Sequence, residues 1–391
     1  MRILQVHNFY QQKGGEDAVV AAEQEILRAN GHLVRLHGVS NDMVQGMREK
    51  VLTAWYTPYA SSSRLEIAKV ITAFSPDIVH VHNFFPLITP SVYDACSENG
   101  VPVVQTLHNF RTICPGALLM RDGKPCEKCL AGNPYISILY SCYRASRLGS
   151  LAVARMVQYH RSHGTWHEKV DRFIALTEFA KSKFVQAGFP VQKIIVKPNF
   201  PTIGGFGEGS LKRTGALFVG RLSEEKGIVT LLQAWEGLDV HVKIMGDGPF
   251  ADHVKSSSSP LIDYMGYQDS NSVFEAMRQS AFLILPSLCY EGFPMTIVEA
   301  FANGLPVIAS RLGSMKEIVQ EGVTGLHFEP GDSDDLSEKI RWAAEHPEEM
   351  LRMGENARKA YSEKYTPEYN YAMLMQVYQE EIDAKKKNYQ H

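Results

Sequence analysis

The stretch Glu291-Gly292-Phe293-Pro294-Met295-Thr296-Ile297-Val298-Glu299 lies between an apolar strand pattern and a small-residue helical pattern. A Gly-Phe-Pro turn follows the first glutamate, and the second rides on the helix. That order puts one carboxylate at a strand's carboxyl end and the other on the next helix. Between them the helix N-terminus offers free N–H groups to an anion. An anion cradle flanked by two acceptor-only side chains suits a ligand with phosphate in the middle and hydroxyls at both ends, which is the layout of a nucleotide sugar.

Outward from this stretch, short apolar strands alternate with helical patterns, the mark of parallel sheets with helices on both faces. The strands predicted in the first half are Arg2–Asn8, Leu33–Gly38, Ile78–Asn83, Val103–His108, Phe173–Thr177 and Ile194–Lys197. Helical patterns fall between them at Asp17–Asn30, Arg64–Phe74 and Phe179–Ala187. A second series runs through Ala216–Gly220, His241–Gly246, Leu261–Gly266, Phe282–Pro286, Val307–Ser310 and Gly325–Phe328. At 391 residues the chain is too long for one ordinary core, so two doubly wound, Rossmann-like α/β domains are expected. The first spans 1–198, with an insertion at about 114–167 that breaks the rhythm. A Pro- and Gly-rich linker covers 199–212, the second domain 213–366, and a closing helix 367–391. Open α/β sheets bind ligands at their carboxyl edges, so a cleft between the two domains is the expected site.

Composition narrows the function classes. Hydrophobic residues make up 45% and charged residues 21% of the chain, as in a soluble globular protein. A net charge of −3 gives no basis for bulk nucleic-acid binding. No apolar run approaches the roughly 20 residues of a membrane span, and the first apolar stretch is too short for a signal peptide. The default compartment is therefore the cytoplasm, with contact at a membrane surface left open.

Gly220-Arg221-Leu222-Ser223-Glu224-Glu225-Lys226-Gly227 follows the second domain's first strand and opens a helix. The glycines permit tight turns and close backbone approach. Arg221 offers a planar fork and Lys226 a mobile point charge, a pair suited to a diphosphate; an exposed basic turn is the ordinary alternative. In the first domain, Gly14-Gly15-Glu16-Asp17 closes the loop after the first strand, and Asp17 is also placed to cap the helix. The loop lacks the Gly-x-Gly-x-x-Gly fingerprint of a dinucleotide site. His108, followed by Asn109-Phe110-Arg111, ends a strand towards the expected cleft. His80 and His82 alternate on the strand before it, where His82 either lines an acceptor pocket or packs in the core. Asp332-Ser333-Asp334 leads into a helix, so a cap fits it better than a Mg²⁺ site.

Together these residues resemble the family 4 glycosyltransferases, retaining and metal-independent enzymes of the GT-B fold. Four features carry the resemblance: the turn at 220–227, Gly246-Asp247-Gly248-Pro249, Gly266-Tyr267, and the Glu-x7-Glu segment from 291 to 299. The resemblance implies that Arg221 and Lys226 bind the donor diphosphate and stabilise the leaving group, in turns that include Gly220 and Gly246. Glu299 would accept from the ribose hydroxyls. Glu291 would hold the donor sugar with the N–H groups of Gly292 and Phe293, while those of Thr296 and Ile297 face the distal phosphate. The backbone near Tyr267 would meet the base, uracil in most of the family. Gly14 and Gly15 would admit the pyrophosphate from the opposite wall, and His108 would reach the donor sugar. His82 and Arg111 are assigned to the acceptor pocket. No catalytic metal is implied, and the closing helix is expected to pack back on the first domain.

Four of the six cysteines cluster as Cys114, Cys126, Cys129 and Cys142. Such a set suits a structural, all-thiolate zinc site, or else four buried thiols or a labile disulfide. Between Cys129 and His167 there are arginines at 144, 147, 155 and 161 and no acidic residue. That basic, apolar-interleaved insertion is either a docking face for anionic lipid or a solvated helix packed on the first domain. The resulting expectation is a hexosyltransferase using a UDP-hexose, UDP-glucose by default, on a glycan or lipid-linked acceptor in polysaccharide or glycoconjugate synthesis. A nucleotide-sugar epimerase and a non-catalytic nucleotide-sugar-binding subunit are the rival readings.

Overall fold

The computed structural model describes residues 1–11, 14–201, 213–257 and 259–388. Most of the expected linker, 202–212, lies outside the described residues, as does position 258 in the serine run at 256–259. The chain divides into two compact units. One comprises Met1–Leu119, Glu127–Asn199 and Pro367–His391; the other comprises Met120–Cys126 and Phe200–Thr366.

The first unit is built on six parallel strands. They are β1 (Arg2–Phe9), β2 (Leu33–Ser40), β3 (Ile78–Asn83), β4 (Val103–Leu107), and, beyond a small hairpin, β7 (Arg172–Ala175) and β8 (Ile194–Val196). The hairpin strands β5 (Met120–Arg121) and β6 (Lys124–Pro125) belong to the second unit. The sheet order is β2-β1-β3-β4-β7-β8, so the winding reverses between β1 and β3. Helices cover both faces, which is why β3 and β4 are buried along their whole length, so the polar residues they carry, His80, His82, Asn83, Gln105 and Thr106, lie inside the unit. The helix Pro367–Asn388 closes this unit. Its Leu374, Val377, Tyr378 and Ile382 pack with Ile3, Leu27, Ile78, Val104 and Ile174. Each such side chain contributes about 1.5–3 kcal/mol by burial, so the last helix is integral to this core.

The second unit repeats the architecture with β9 (Ala216–Val219), β10 (Val242–Met245), β11 (Ile262–Gly266), β12 (Phe282–Leu285), β13 (Val307–Ser310) and β14 (Gly325–Phe328). All neighbours are parallel, in the order β11-β10-β9-β12-β13-β14. The reversal falls between β9 and β12. The loops leaving these two strands are therefore splayed at the carboxyl edge, where open sheets receive ligands. Two apolar layers sandwich the sheet, one around Phe218, Trp235 and Phe328, the other around Leu283, Phe301 and Met315.

Candidate functional site

In the second unit, the turn leaving β9 is tied to its neighbours through backbone. The Gly220 N–H donates to the Met245 carbonyl at 3.0 Å, and the Leu222 N–H donates to the Asp247 carbonyl at 3.0 Å. Gly227 takes φ +70°, and a Cβ there would lie 1.8 Å from the Pro286 carbonyl oxygen. Gly246, at φ +144°, would place a Cβ 1.8 Å from the Gly220 carbonyl oxygen. Only glycine lets the edges of β9, β10 and β12 close this tightly. The Asp247 side chain accepts from the Gly248 N–H at 2.7 Å and so shapes its own turn.

This packing brings Lys226 to Glu291: Nζ donates to Oε1 at 2.6 Å. Ser287 Oγ donates to the same oxygen at 2.7 Å. Burial alone would pull the Lys226 ammonium down, but Glu291, with Cys289 and Glu225, outweighs it and raises Lys226 above its ordinary range. Arg221 is exposed beside this pair in sequence, and Tyr267, after β11, is 81% exposed. The helix Met295–Ala302 begins at Pro294 with no side-chain cap. The Ile297 N–H is turned back to the Pro294 carbonyl at 3.0 Å. Among the described residues, the N–H groups of Met295 and Thr296 have no such partner, so the first turn keeps its anion-binding capacity. Glu299 is half-buried on this helix, and its carboxylate has no hydrogen-bond partner among the described residues. Burial pushes it up to about 7. The edge thus gathers a hydrogen-bonded Lys–Glu pair, an uncapped helix start and an open acceptor.

In the first unit, the loop after β1 is fastened by Asp17, which accepts from the Gly14 N–H at 2.9 Å and meets His7 Nε2 at 2.7 Å. Nothing lies within 4 Å of where a Gly14 Cβ would stand. His108, just past β4, has Nε2 at 3.1 Å from His82 Nδ1. Burial first, then the charges of His7 and Lys197, push His108 down to about 3, so its ring is neutral. A small pocket at this edge is lined by His82, Asn83, His108, Asn109, Arg111 and Thr112. Asn109 Nδ2 donates to Glu16 Oε1 at 2.6 Å. Arg111 is engaged internally, with its guanidinium 4.7 Å from the Phe85 ring and 5.0 Å from that of Tyr143, donating to the Pro115 carbonyl. It braces the start of the insertion against the pocket. His82 is buried and touches the core as well as the pocket.

Behind these histidines lies a buried polar network that the sequence reading missed. Lys197 Nζ, fully buried, donates to Glu23 Oε1 at 3.1 Å and to Asn370 Oδ1 at 2.8 Å. Glu23 Oε2 lies 3.4 Å from His82 Nε2 and 3.6 Å from His80 Nδ1. His80 is bonded on both sides, to the Tyr378 hydroxyl at 2.6 Å and to Thr106 Oγ1 at 2.7 Å. Among the described residues, Glu23, His80 and His82 form the one His/Cys/Asp/Glu trio whose ligand atoms converge within 4.8 Å. The Lys197 ammonium against Glu23 and the two occupied nitrogens of His80 argue against a cation there. The four cysteines do not form such a set. Cys114 Sγ and Cys142 Cβ both border Gly116, whereas Cys126 falls with the hairpin in the second unit. Asp332 caps its helix, accepting from the Asp334 and Asp335 N–H groups at 3.0 Å each.

Two family models match the chain: Glycosyltransferase Family 4 over residues 14–200, and Glycosyl transferases group 1 over residues 208–360. The chain is a family 4 glycosyltransferase. A segment of this glycosyltransferase is 34% identical over 171 residues to an uncharacterized glycosyltransferase of Methanocaldococcus jannaschii, covering 43% of the chain and 48% of that relative. Another is 30% identical over 156 residues to the D-rhamnosyltransferase WbpZ of Pseudomonas aeruginosa, covering 38% and 41%. The matches span about half the length of these curated relatives or less. Among solved structures, HepE of Anabaena in complex with UDP superposes with a TM-score of 0.69 at 19% identity, covering 96% of the chain and 99% of HepE. Sucrose-phosphate synthase of Thermosynechococcus elongatus gives 0.71 at 16% identity, covering 98% and 99%. At these identities the likeness establishes the fold, which is GT-B.

Proposed function

We propose that this glycosyltransferase moves a hexosyl unit from a UDP-sugar to a glycan or lipid-linked acceptor, with retention of configuration and without a catalytic metal. The observation that carries the reading is the edge of β9 and β12, where Lys226 grips Glu291 beside the uncapped helix start and the open Glu299 carboxylate. In this reading the donor diphosphate lies at Arg221, Lys226 and the N–H groups of Met295 and Thr296. These cations meet the charge that develops on the leaving phosphate in the transition state. Glu299 accepts from the ribose hydroxyls, and Glu291, pre-oriented by Ser287 and Lys226, accepts from the sugar. The solved structures of HepE with UDP and with UDP-glucose support a uridine donor. A HepE structure holds UDP-glucose, so UDP-glucose is the first donor to try, while the related WbpZ, a D-rhamnosyltransferase, makes other sugars the next. The test is incubation with UDP-glucose, with and without a lipid and glycan extract. Transfer to acceptor with the α configuration retained is expected. Interconversion of the donor sugar without acceptor would favour the epimerase reading instead.

A second observation bears on the acceptor. The helix Met47–Tyr56 buries none of its residues, and Met47, Val51 and Trp55 stand 76%, 60% and 65% exposed along one row. Arg155 stacks 5.1 Å from the Trp55 ring, which joins this row to the helix Arg147–Ser162, where Leu148 is 79% exposed. An apolar row beside arginines suits an anionic membrane surface, and hence a lipid-linked acceptor. Arg161 belongs elsewhere, since it clamps the carbonyls of Cys129, Leu130 and Gly132. No helix among the described residues is long and apolar enough to cross a membrane. Sedimentation with anionic but not neutral vesicles, abolished by Val51→Asp/Trp55→Asp, is the expected result.

A further inference from the structure

We propose that Glu23 sets the position of the proton on His82 and, through it, on His108, so that His108 offers an unprotonated Nδ1 to a sugar hydroxyl at the edge of the first sheet. The sugar hydroxyl in this statement rests on the proposed function; the proton placement does not.

The relay begins at the contact between the two rings. Their planes differ by only 21° and their centroids are 5.4 Å apart, while His82 Nδ1 and His108 Nε2 are 3.1 Å apart. The centroid separation exceeds the nitrogen separation by about two ring radii, so the rings meet edge to edge in nearly one plane. This is a nitrogen-to-nitrogen hydrogen bond, not a face-to-face stack. Burial, with neighbouring positive charge, holds His82 well below its usual range and His108 at about 3. Each ring therefore carries a single N–H, and one of the two must donate to the other.

What lies behind His82 decides which one. Glu23 Oε2 is buried, lacks a hydrogen bond and lies 3.4 Å from His82 Nε2. Gln5 Oε1 is also buried and unpartnered, while the amide's other end lies 3.4 Å from the same nitrogen. The two ends of the Gln5 amide are nearly the same shape, and turning it over points its carbonyl at His82 Nε2. Both neighbours then want a proton on Nε2. The opposite tautomer would aim a lone pair at a buried carboxylate. With the proton on Nε2, His82 Nδ1 must accept, so His108 Nε2 must donate. The remaining His108 nitrogen, Nδ1, is bare, has no hydrogen-bond partner among the described residues, and belongs to a ring that borders the pocket. Lys197 holds Glu23 in place from the other side, at 3.1 Å. Glu23 is a positioning residue: it acts on the pocket only through His82.

The test is the tautomer itself. Long-range ¹H–¹⁵N NMR of ligand-free, ¹⁵N-histidine-labelled protein, assigned with His82→Gln and His108→Gln, should show the Nε2–H pattern for both rings. An Nδ1–H pattern for His108 in the wild type overturns the proposal, and that measurement requires no change at Glu23. The second arm is the pair Glu23→Leu/Lys197→Met, which removes both buried charges together. In folded variant protein, His108 should shift to a tautomer mixture, and the donor KM should rise about tenfold with kcat changed less than threefold. Retention of a pure Nε2–H pattern would overturn the role of Glu23. If the wild type shows the expected tautomers but binds no nucleotide sugar, the functional reading falls and the relay stands.

Discussion

Replacing Glu299 by Gln should stabilise this protein at pH 8 while weakening its nucleotide site. The carboxyl is half-buried with no hydrogen-bond partner among the described residues, and burial raises it from the ordinary 4.5 to about 7. A raised acid binds its proton more tightly when folded. Its penalty is therefore absent below pH ~4.5, grows as pH rises through the interval, and is complete above ~7. At about 1.36 kcal/mol per unit, the full shift corresponds to roughly 3 kcal/mol. Residual solvent at a half-buried group reduces this to about 1–3 kcal/mol. Glutamine keeps the shape without the charge, so the variant should equal the wild type at pH 4.5 and exceed it by that amount at pH 8. Urea unfolding at both pH values, followed by fluorescence, measures the difference directly. In the proposed donor placement the same variant loses a charged acceptor for the ribose, a loss of about 1.5–3 kcal/mol, so UDP should bind roughly 10- to 100-fold more weakly. An equal stability gap at both pH values, or a variant less stable at pH 8, would refute the reasoning. It would mean that Glu299 has a partner when folded.

Three further outcomes follow from the geometry. Gly246→Ala should cost more than about 3 kcal/mol or prevent folding, because its Cβ would meet the Gly220 carbonyl at 1.8 Å; the variant's urea midpoint tests this. Lys197→Met leaves Glu23 buried without its cation and should lose about 3–5 kcal/mol, read as early release of the helix Pro367–Asn388 by hydrogen exchange. Metal analysis of dialysed protein should find far less than one zinc per chain, because Cys114, Cys129 and Cys142, all in the first unit, do not bring their three sulfurs within 4.8 Å of one another; a full equivalent would mean that the thiols converge in solution.

The strands were legible because each is a short apolar run bounded by Gly, Pro or a polar turn, and all twelve of the two large sheets fall within about two residues of their expected positions. The helix Met47–Tyr56 was missed although Met47, Val51 and Trp55 recur at helical spacing, because it is only ten residues long, starts without a side-chain cap and buries none of its residues. The paired glutamates and the Arg-Lys turn of the second unit could be read because they sit in short, contiguous motifs. Their immediate partner Ser287, four residues before Glu291, was readable in principle as a hydroxyl at a strand end. Glu23 and Lys197 gave no local sign. They are 174 residues apart in sequence: Glu23 rides on the helix Gly15–Ala29 after β1, Lys197 follows β8, and only the tertiary fold of this unit brings them together behind His82. Arg111 shows the opposite failure: a cation beside a candidate histidine looked like a ligand contact, and the aromatic rings that occupy it lie elsewhere in the chain.

Isothermal titration of UDP into the wild type and into Arg221→Ala and Lys226→Ala tests the central claim, that the edge between β9 and β12 holds a nucleoside diphosphate. One site is expected on the wild type, with affinity at least tenfold weaker in each variant and further weakened by salt. No heat of binding to the folded wild type, or equal affinity in all three proteins, would contradict it.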